Sequence, residues 1–333
     1  MGQNMQQNNK NIFYSSLLGD LCRYIRSPRY DVERVQVGIF RKFLHIFKLW
    51  SLAITITVLL GVLASYLMEV AGVEEVKNSV VDLFQEKPVY IFLFLAVVWA
   101  PITEEITFRL GLVYSPYRLG YSLAFLAVAT FSLLWGPLRG ILPISLPELG
   151  VDLTEQKGIY VYIPAVVVLG YILGTLLKKK LTSATAIHFY RRHFPLIFYL
   201  SSFVFGTLHV FNFYEWEGLW FLLPLLVLPQ FLLGILLAYT RMRYGMVWSV
   251  AMHFLHNGII SIPLVLLSFL PPAILSGERV LDPQELSSTE SGLVSLASLF
   301  FLLILTLVLA SVISLGVEYK RAKINNKITP SSF

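Results

Sequence analysis

The chain is short of cysteine and of charge, and each shortage removes a class of protein. One cysteine, Cys22, stands in 333 residues, which excludes an intrachain disulfide framework and leaves no redox motif to read. Charged residues make up 14% of the chain, where a soluble domain carries roughly a quarter. The opening stretch Met1–Lys10 is polar and is not followed by an apolar segment with a small-residue cleavage site, so no secretory signal is expected. Met1-Gly2 invites a myristoylation reading, but position six is Gln6 rather than Ser or Thr. No internal repeat argues for an inverted-repeat transporter.

What the chain has in quantity is apolar sequence, 56% of it hydrophobic. Eight apolar runs are long enough to span a bilayer, taking about 20 residues as the requirement: 49–68, 88–114, 121–141, 159–177, 194–213, 219–239, 246–270 and 293–315. The expected fold is therefore all-α, a polytopic helical membrane protein with about eight transmembrane helices. Residues 1–48 form an N-terminal cytoplasmic or interfacial amphipathic segment, 49–318 a single membrane-embedded domain, and 319–333 a basic cytoplasmic tail. Net charge +6 would suggest nucleic acid in a soluble protein. Here the positive-inside rule explains it better. With the N-terminus cytoplasmic, 20 Lys/Arg fall on the inner side, five on the outer, and Arg109 inside the membrane. Both termini are then cytoplasmic, and no nucleic-acid partner is expected.

Within 11–26, Phe13, Leu17, Leu21 and Ile25 recur at helical spacing, with Arg23 and Arg26 on the flank. That pattern predicts a short helix lying on the inner leaflet or packed on the protein's own underside. Residues 35–47 read as a second surface helix leading into the first span. The acidic outer loops (Glu74, Glu75, Asp82 and Glu86; Glu148, Asp152 and Glu155; 278–290) read as solvated faces, and 142–157 and 271–290 as irregular.

Polar residues at membrane depth are expensive and mark function. The second run carries Pro101-Ile-Thr-Glu104-Glu105-Ile-Thr-Phe-Arg109. Glu105 and Arg109 are four apart and share a helix face, so they can pair. Glu104 points about 100° away and has no local partner. The fifth run carries Phe205-Gly-Thr-Leu-His209, and the seventh His253-Phe-Leu-His256-Asn257. His253 and Asn257 project from one face, Gly206 allows a close approach, and His256 reads as a hydrogen-bonded packing residue. Glu and His sharing a water do general-base work, and a His beside an Asn can stabilise an oxyanion. Glu104, His209 and His253 would also make a two-His, one-carboxylate metal site suited to Zn²⁺.

Glu104-Glu105-x-x-x-Arg109, Phe205-x-x-x-His209 and His253-x-x-x-Asn257 resemble, in order, the three motifs of the CPBP family. That family comprises type II CAAX prenyl endopeptidases, bacteriocin-processing and immunity proteins, and abortive-infection proteins. The stretches 229–234 and 239–248 resemble the family as well. The resemblance implies an intramembrane endopeptidase acting on a membrane-embedded or lipid-anchored protein or peptide. Glu104 is then the base, His209 its partner, His253 and Asn257 the oxyanion pair, with Glu105 and Arg109 supporting. The family's mechanism is described both as metal-dependent and as metal-free. One departure is the roughly hundred residues between the first two motifs, which carry two extra runs. The competing readings are a non-catalytic immunity or partner-binding protein on the same scaffold, and a cation or proton transporter. The short loops suit a bacterial plasma membrane.

Overall fold

The computed structural model describes residues 16–72, 77–139, 156–180, 183–214, 221–269 and 287–328. Helix α1 (Leu17–Arg26) starts where the Ser16 side chain accepts the Gly19 N–H, capping an otherwise orphaned donor. An extended segment leads to α2 (Ile39–Val70). The chain continues through β1 (Lys77–Asn78), α3 (Ser79–Glu86) and α4 (Val89–Leu93), then a π-helical turn (Phe94–Trp99) and α5 (Ala100–Phe108). After these come α6 (Pro116–Arg139), α7 (Gln156–Lys180), α8 (Ser183–Leu208) and a 3₁₀ turn (His209–Asn212). Then follow β2 (Phe213–Tyr214), α9 (Leu223–Arg243), α10 (Met246–Leu267) and α11 (Ser288–Ile328). The two strands are a two-residue antiparallel pair, so the architecture is all-α.

Each of the eight apolar runs falls largely on helix where it is described. Among the described residues, five helical stretches are long and apolar enough to cross a bilayer: Ile39–Val70, Val89–Phe108, Ala184–Asn212, Leu223–Arg243 and Ser288–Asn325. Long exposed apolar rows on α2 (Val58, Leu59, Val62) and α11 (Leu302, Leu303, Leu305) would be untenable in water and are natural against lipid. This is a polytopic integral membrane protein.

Helix α9 is the hub. Most of its second half is buried. It packs against α8, α2 and α10, through a core that includes Trp50, Phe198, Phe205, Leu237, Tyr239 and Met252. Gly206 makes the expected close approach: a Cβ there would lie 2.8 Å from the Phe231 nitrogen, so α8 meets the backbone of α9 directly.

Three sequence expectations shift. The stretch 35–47 is no separate surface helix; the chain stays extended to Gly38, and α2 then runs unbroken into the apolar region. The run 88–114 ends as helix at Phe108, because the chain turns at Arg109. Ser122 fixes that turn, accepting the Gly111 N–H at 2.9 Å and donating to the Ile106 carbonyl at 2.9 Å. Lys157 and Glu290, read as loop residues, lie on α7 and α11. Phe13, Glu74, Glu75, Glu148, Asp152, Glu155 and Glu278 lie outside the described residues.

Helix α1 packs on the protein rather than lying free. Leu17, Leu21 and Tyr24 are buried, and the Tyr24 ring meets Phe198 and Tyr239 edge-on. Asp20 accepts the Tyr239 hydroxyl at 2.7 Å and Arg243 Nε at 2.9 Å. Burial pushes the Tyr24 phenol upward, so it stays a neutral donor to the Arg29 carbonyl.

Candidate active site

The site grows from an irregularity in the helix that carries the two glutamates. In the π-turn the bonding shifts by one residue, and the Ala100 N–H reaches the Leu95 carbonyl, five back. The next donor in that register would be residue 101, aimed at Ala96. Pro101 has no N–H. The Ala96 carbonyl is thereby left open, and Asn257 of α10 fills it, its amide nitrogen donating at 2.7 Å. A second consequence of the loosened turn is that the Thr103 hydroxyl lies 3.0 Å from both the Trp99 and Ala100 carbonyls. The π-turn and the proline thus dock α4–α5 onto α10 in a fixed register.

That register brings the charged residues together. Glu105 is fully buried, 3.7 Å from Arg109 Nε and 3.1 Å from His253 Nδ1, and it accepts the Ser249 hydroxyl. Ser249 lies one turn before His253 on α10, so the two reach the carboxylate from one face. Arg109 is fully buried as well. It caps the end of α5, where a cation suits the helix dipole. Its Nη2 donates to the Gly234 carbonyl at 3.3 Å, and its guanidinium sits 4.1 Å over the Phe205 ring. Gly234 admits this; a Cβ there would come within 3.3 Å of Arg109 Nη2 and 3.0 Å of Phe205.

Glu104 is different in kind. Its side chain is 28% exposed, yet its Oε2 is buried and has no hydrogen-bond partner among the described residues. The nearest imidazole nitrogen is His253 Nε2, at 3.6 Å. That separation is too long for a direct hydrogen bond, and it lets one water bond to both groups. His253 therefore stands between the glutamates, pinned by Glu105 through Nδ1 and facing Glu104 through Nε2.

His209 opens the 3₁₀ turn after α8, with Nδ1 2.7 Å from the Phe205 carbonyl. A carbonyl only accepts, so Nδ1 carries the hydrogen and Nε2 is left as an acceptor. The Phe205 ring lies between the two histidines, 4.7 Å from His209 and 5.9 Å from His253 by ring centroids. His209, His253 and Arg109 thus all lie against Phe205, and Glu104 and Glu105 face His253. The imidazole facing Glu104, however, is His253 rather than His209. His256 is buried, as a packing residue is, with its Nδ1 unpartnered among the described residues. Ser249 was not singled out by the sequence, and Phe205 and Gly234 entered there only as parts of motif stretches, without a role.

A shared metal ion would need Glu104, His209 and His253 each about 2 Å from it. Among the described residues, no group of three His, Cys, Asp or Glu side chains is placed to hold a metal. The donors as arranged do not fit a three-ligand ion, and no step is routed through one. Beside the site, an open apolar groove of about 550 Å³ runs between the π-turn and α10, lined by Leu93, Phe94, Val97, Val98, Phe254 and Gly258 among others.

Neither the curated proteins nor the solved structures contain a match to the chain. A family model described as "Type II CAAX prenyl endopeptidase Rce1-like" matches residues 86–191 and 188–259, more than half of the chain. The match takes in all three motifs and also α6 and α7, the two helices between the first motif and the second. With its buried Glu105–His253 pair and the open carboxylate of Glu104 inside that region, the chain belongs to the Rce1-like family of type II CAAX prenyl endopeptidases, membrane-embedded proteases.

Proposed function

We propose that the protein is an intramembrane endopeptidase that cuts a membrane-embedded or lipid-anchored protein or peptide with a water activated by Glu104. The observation that carries this reading is the buried, unpartnered Glu104 Oε2 facing His253 Nε2 at 3.6 Å. A water between them donates one hydrogen to each. Glu104 takes the proton as the oxygen attacks the scissile carbonyl carbon. Asn257, with one amide hydrogen committed to Ala96, offers the second to the oxyanion. When the tetrahedral intermediate collapses, the C–N bond breaks. The proton on Glu104 passes to the leaving amine and restores the carboxylate.

His209 presents Nε2 as an acceptor, which suits ordering water or relaying a proton. Glu105 fixes the ring of His253, and Arg109 lies against Glu105 at 3.7 Å. The apolar groove beside Asn257 suits the hydrocarbon part of a lipidated substrate. Charge asymmetry supports eight crossings with both termini cytoplasmic, and the short loops suit a bacterial plasma membrane.

The test is turnover of a fluorogenic peptide carrying a prenylated cysteine near its C-terminus by the protein in liposomes. Glu104→Gln is expected to lower the rate by about 10²-fold or more. A Glu104→Gln protein that cleaves at the wild-type rate sinks the assignment.

A further inference from the structure

His45, His193, His209 and His253 each give Nδ1 a partner. That of His45 lies 3.0 Å from the Tyr244 hydroxyl and that of His253 3.1 Å from Glu105. His193 and His209 turn theirs to the main-chain carbonyl four residues back, at 3.1 and 2.7 Å. His256 sits inside α10, where the Met252 carbonyl stands four back, and it does not take that bond. The residue is 6% exposed, and its Nδ1 is buried with no partner among the described residues. Packing alone gives no reason for this choice. An apolar side chain of similar bulk would fill the space without stranding a polar atom, and a buried polar atom left unpaired calls for a cause.

Helical spacing places His256 on the seam between the reacting residues and α9. It follows His253 by three positions, Met252 by four and Ser249 by seven, spacings that bring side chains to one side of a helix. Ser249 and His253 meet Glu105 on that side, and Met252 takes the Thr240 hydroxyl of α9 at 3.5 Å. Glu104 Oε2, the unpartnered atom of the reacting carboxylate, faces His253 at 3.6 Å. His253 is therefore the neighbour of both open atoms. Helical residues three apart hold their Cβ atoms ~5–6 Å from one another. Two hydrogen bonds through one oxygen cover about the same span.

We infer that His256 Nδ1 holds a reserve water inside the bundle, one hydrogen bond from the water that Glu104 activates. The inference rests on the endopeptidase reading above. Each turnover consumes the water between Glu104 and His253, and the hydrocarbon around the helices holds none to replace it. Fixing a water on a buried nitrogen costs less than leaving that nitrogen unbonded. His256 is then a positioning residue. It touches neither the substrate nor the reacting atoms, and acts by keeping the first water oriented and refilling its place.

The experiment uses the full chain in liposomes and the fluorogenic prenylated peptide described above. His256→Leu removes the nitrogen and keeps most of the bulk, whereas His256→Asn sets a polar atom close to where Nδ1 stands. The leucine variant is expected to lower kcat about tenfold or more with KM unchanged, and to melt no lower than the wild type. The asparagine variant should recover kcat to within about threefold of the wild type, since a water held by an amide is held nearly as well. A wild-type structure at a resolution that shows ordered water should place an oxygen within about 3.2 Å of His256 Nδ1. Wild-type kcat in His256→Leu overturns the inference. So does an asparagine variant as slow as the leucine one, because the imidazole itself is then required. A melting temperature that falls together with the rate assigns His256 to packing, and an Nδ1 without water beside it removes the site; either result sinks the inference. Failure of the endopeptidase reading is seen separately, as no cleavage of the peptide by the protein with Glu104 and His256 intact.

Discussion

Glu104 and Glu105 are neighbours with the same side chain and opposite surroundings. Glu105 is enclosed by Arg109, Ser249 and His253, whereas Glu104 Oε2 has no partner among the described residues. Removing one member of a buried ion pair strands the other, which costs about 3–5 kcal/mol. Glu105→Ala should therefore lower thermal stability in detergent by about that amount, read from the melting curve. Glu104→Gln should melt close to the wild type while losing turnover, and that contrast separates the structural carboxylate from the reacting one. The Glu105–Arg109 pairing was legible from their spacing of four. Ser249 was harder to see. Other serines in these helices, such as Ser51 and Ser202, bond the carbonyl four residues back, and nothing in composition separates Ser249 from them. Its one signal is that it stands four residues before His253. The exchange of His209 for His253 beside Glu104 was also illegible, because the ring orientation depends on Glu105 reaching across from another helix.

At the scale of an element, the stretch from Val89 to Phe108 matters most. Hydrophobic periodicity over so apolar a run does not distinguish a π-turn from an α-helix, so only Pro101 hinted at the break. Pro101→Ala restores an N–H beneath the Ala96 carbonyl and competes with Asn257 for it. Turnover should fall by about tenfold to a hundredfold as Asn257 shifts, without loss of thermal stability. A Pro101→Ala enzyme with wild-type kinetics would show that this register does not position Asn257. A second prediction belongs to the α8–α9 contact. The Cβ of Gly206→Ala would meet the Phe231 backbone below 3.0 Å, and such overpacking costs about 1–3 kcal/mol. The melting temperature should drop, and an unchanged value would mean the helices separate freely. The need for a small residue at Gly206 was visible in the sequence. Which helix it would meet was not, because that depends on how α9 crosses α8.

Across the whole molecule, the all-α class and the eight apolar runs could be read directly, since lipid demands long uninterrupted helices. The N-terminal helix was ambiguous, because one apolar stripe suits a membrane surface or the protein's own underside equally. The ambiguity is resolved by Asp20, which engages Tyr239 and Arg243. Tyr199 and the Ile25 carbonyl make a second such link, from α8. Asp20→Ala leaves both Asp20 donors unsatisfied and should reduce stability by about 1–3 kcal/mol. Limited proteolysis should then cut the segment around Ser27 sooner than in the wild type. Equal cleavage rates would mean that α1 is held by its apolar face alone.

The link between Asp20 and Tyr239 spans 219 positions of chain, and it joins an early product of translation to a late one. At ~5–20 residues per second, roughly 10–40 s separate their appearance from the ribosome. Throughout that interval the first helix lacks its polar anchor, because α9 has not been made. A nascent chain halted before Arg243 would hold Glu104 and Glu105 in place along the sequence, yet lack His253, Ser249 and the seat for its own beginning. The carboxylate of Glu105 therefore gains its partners on α10 only after about 150 further residues have been added.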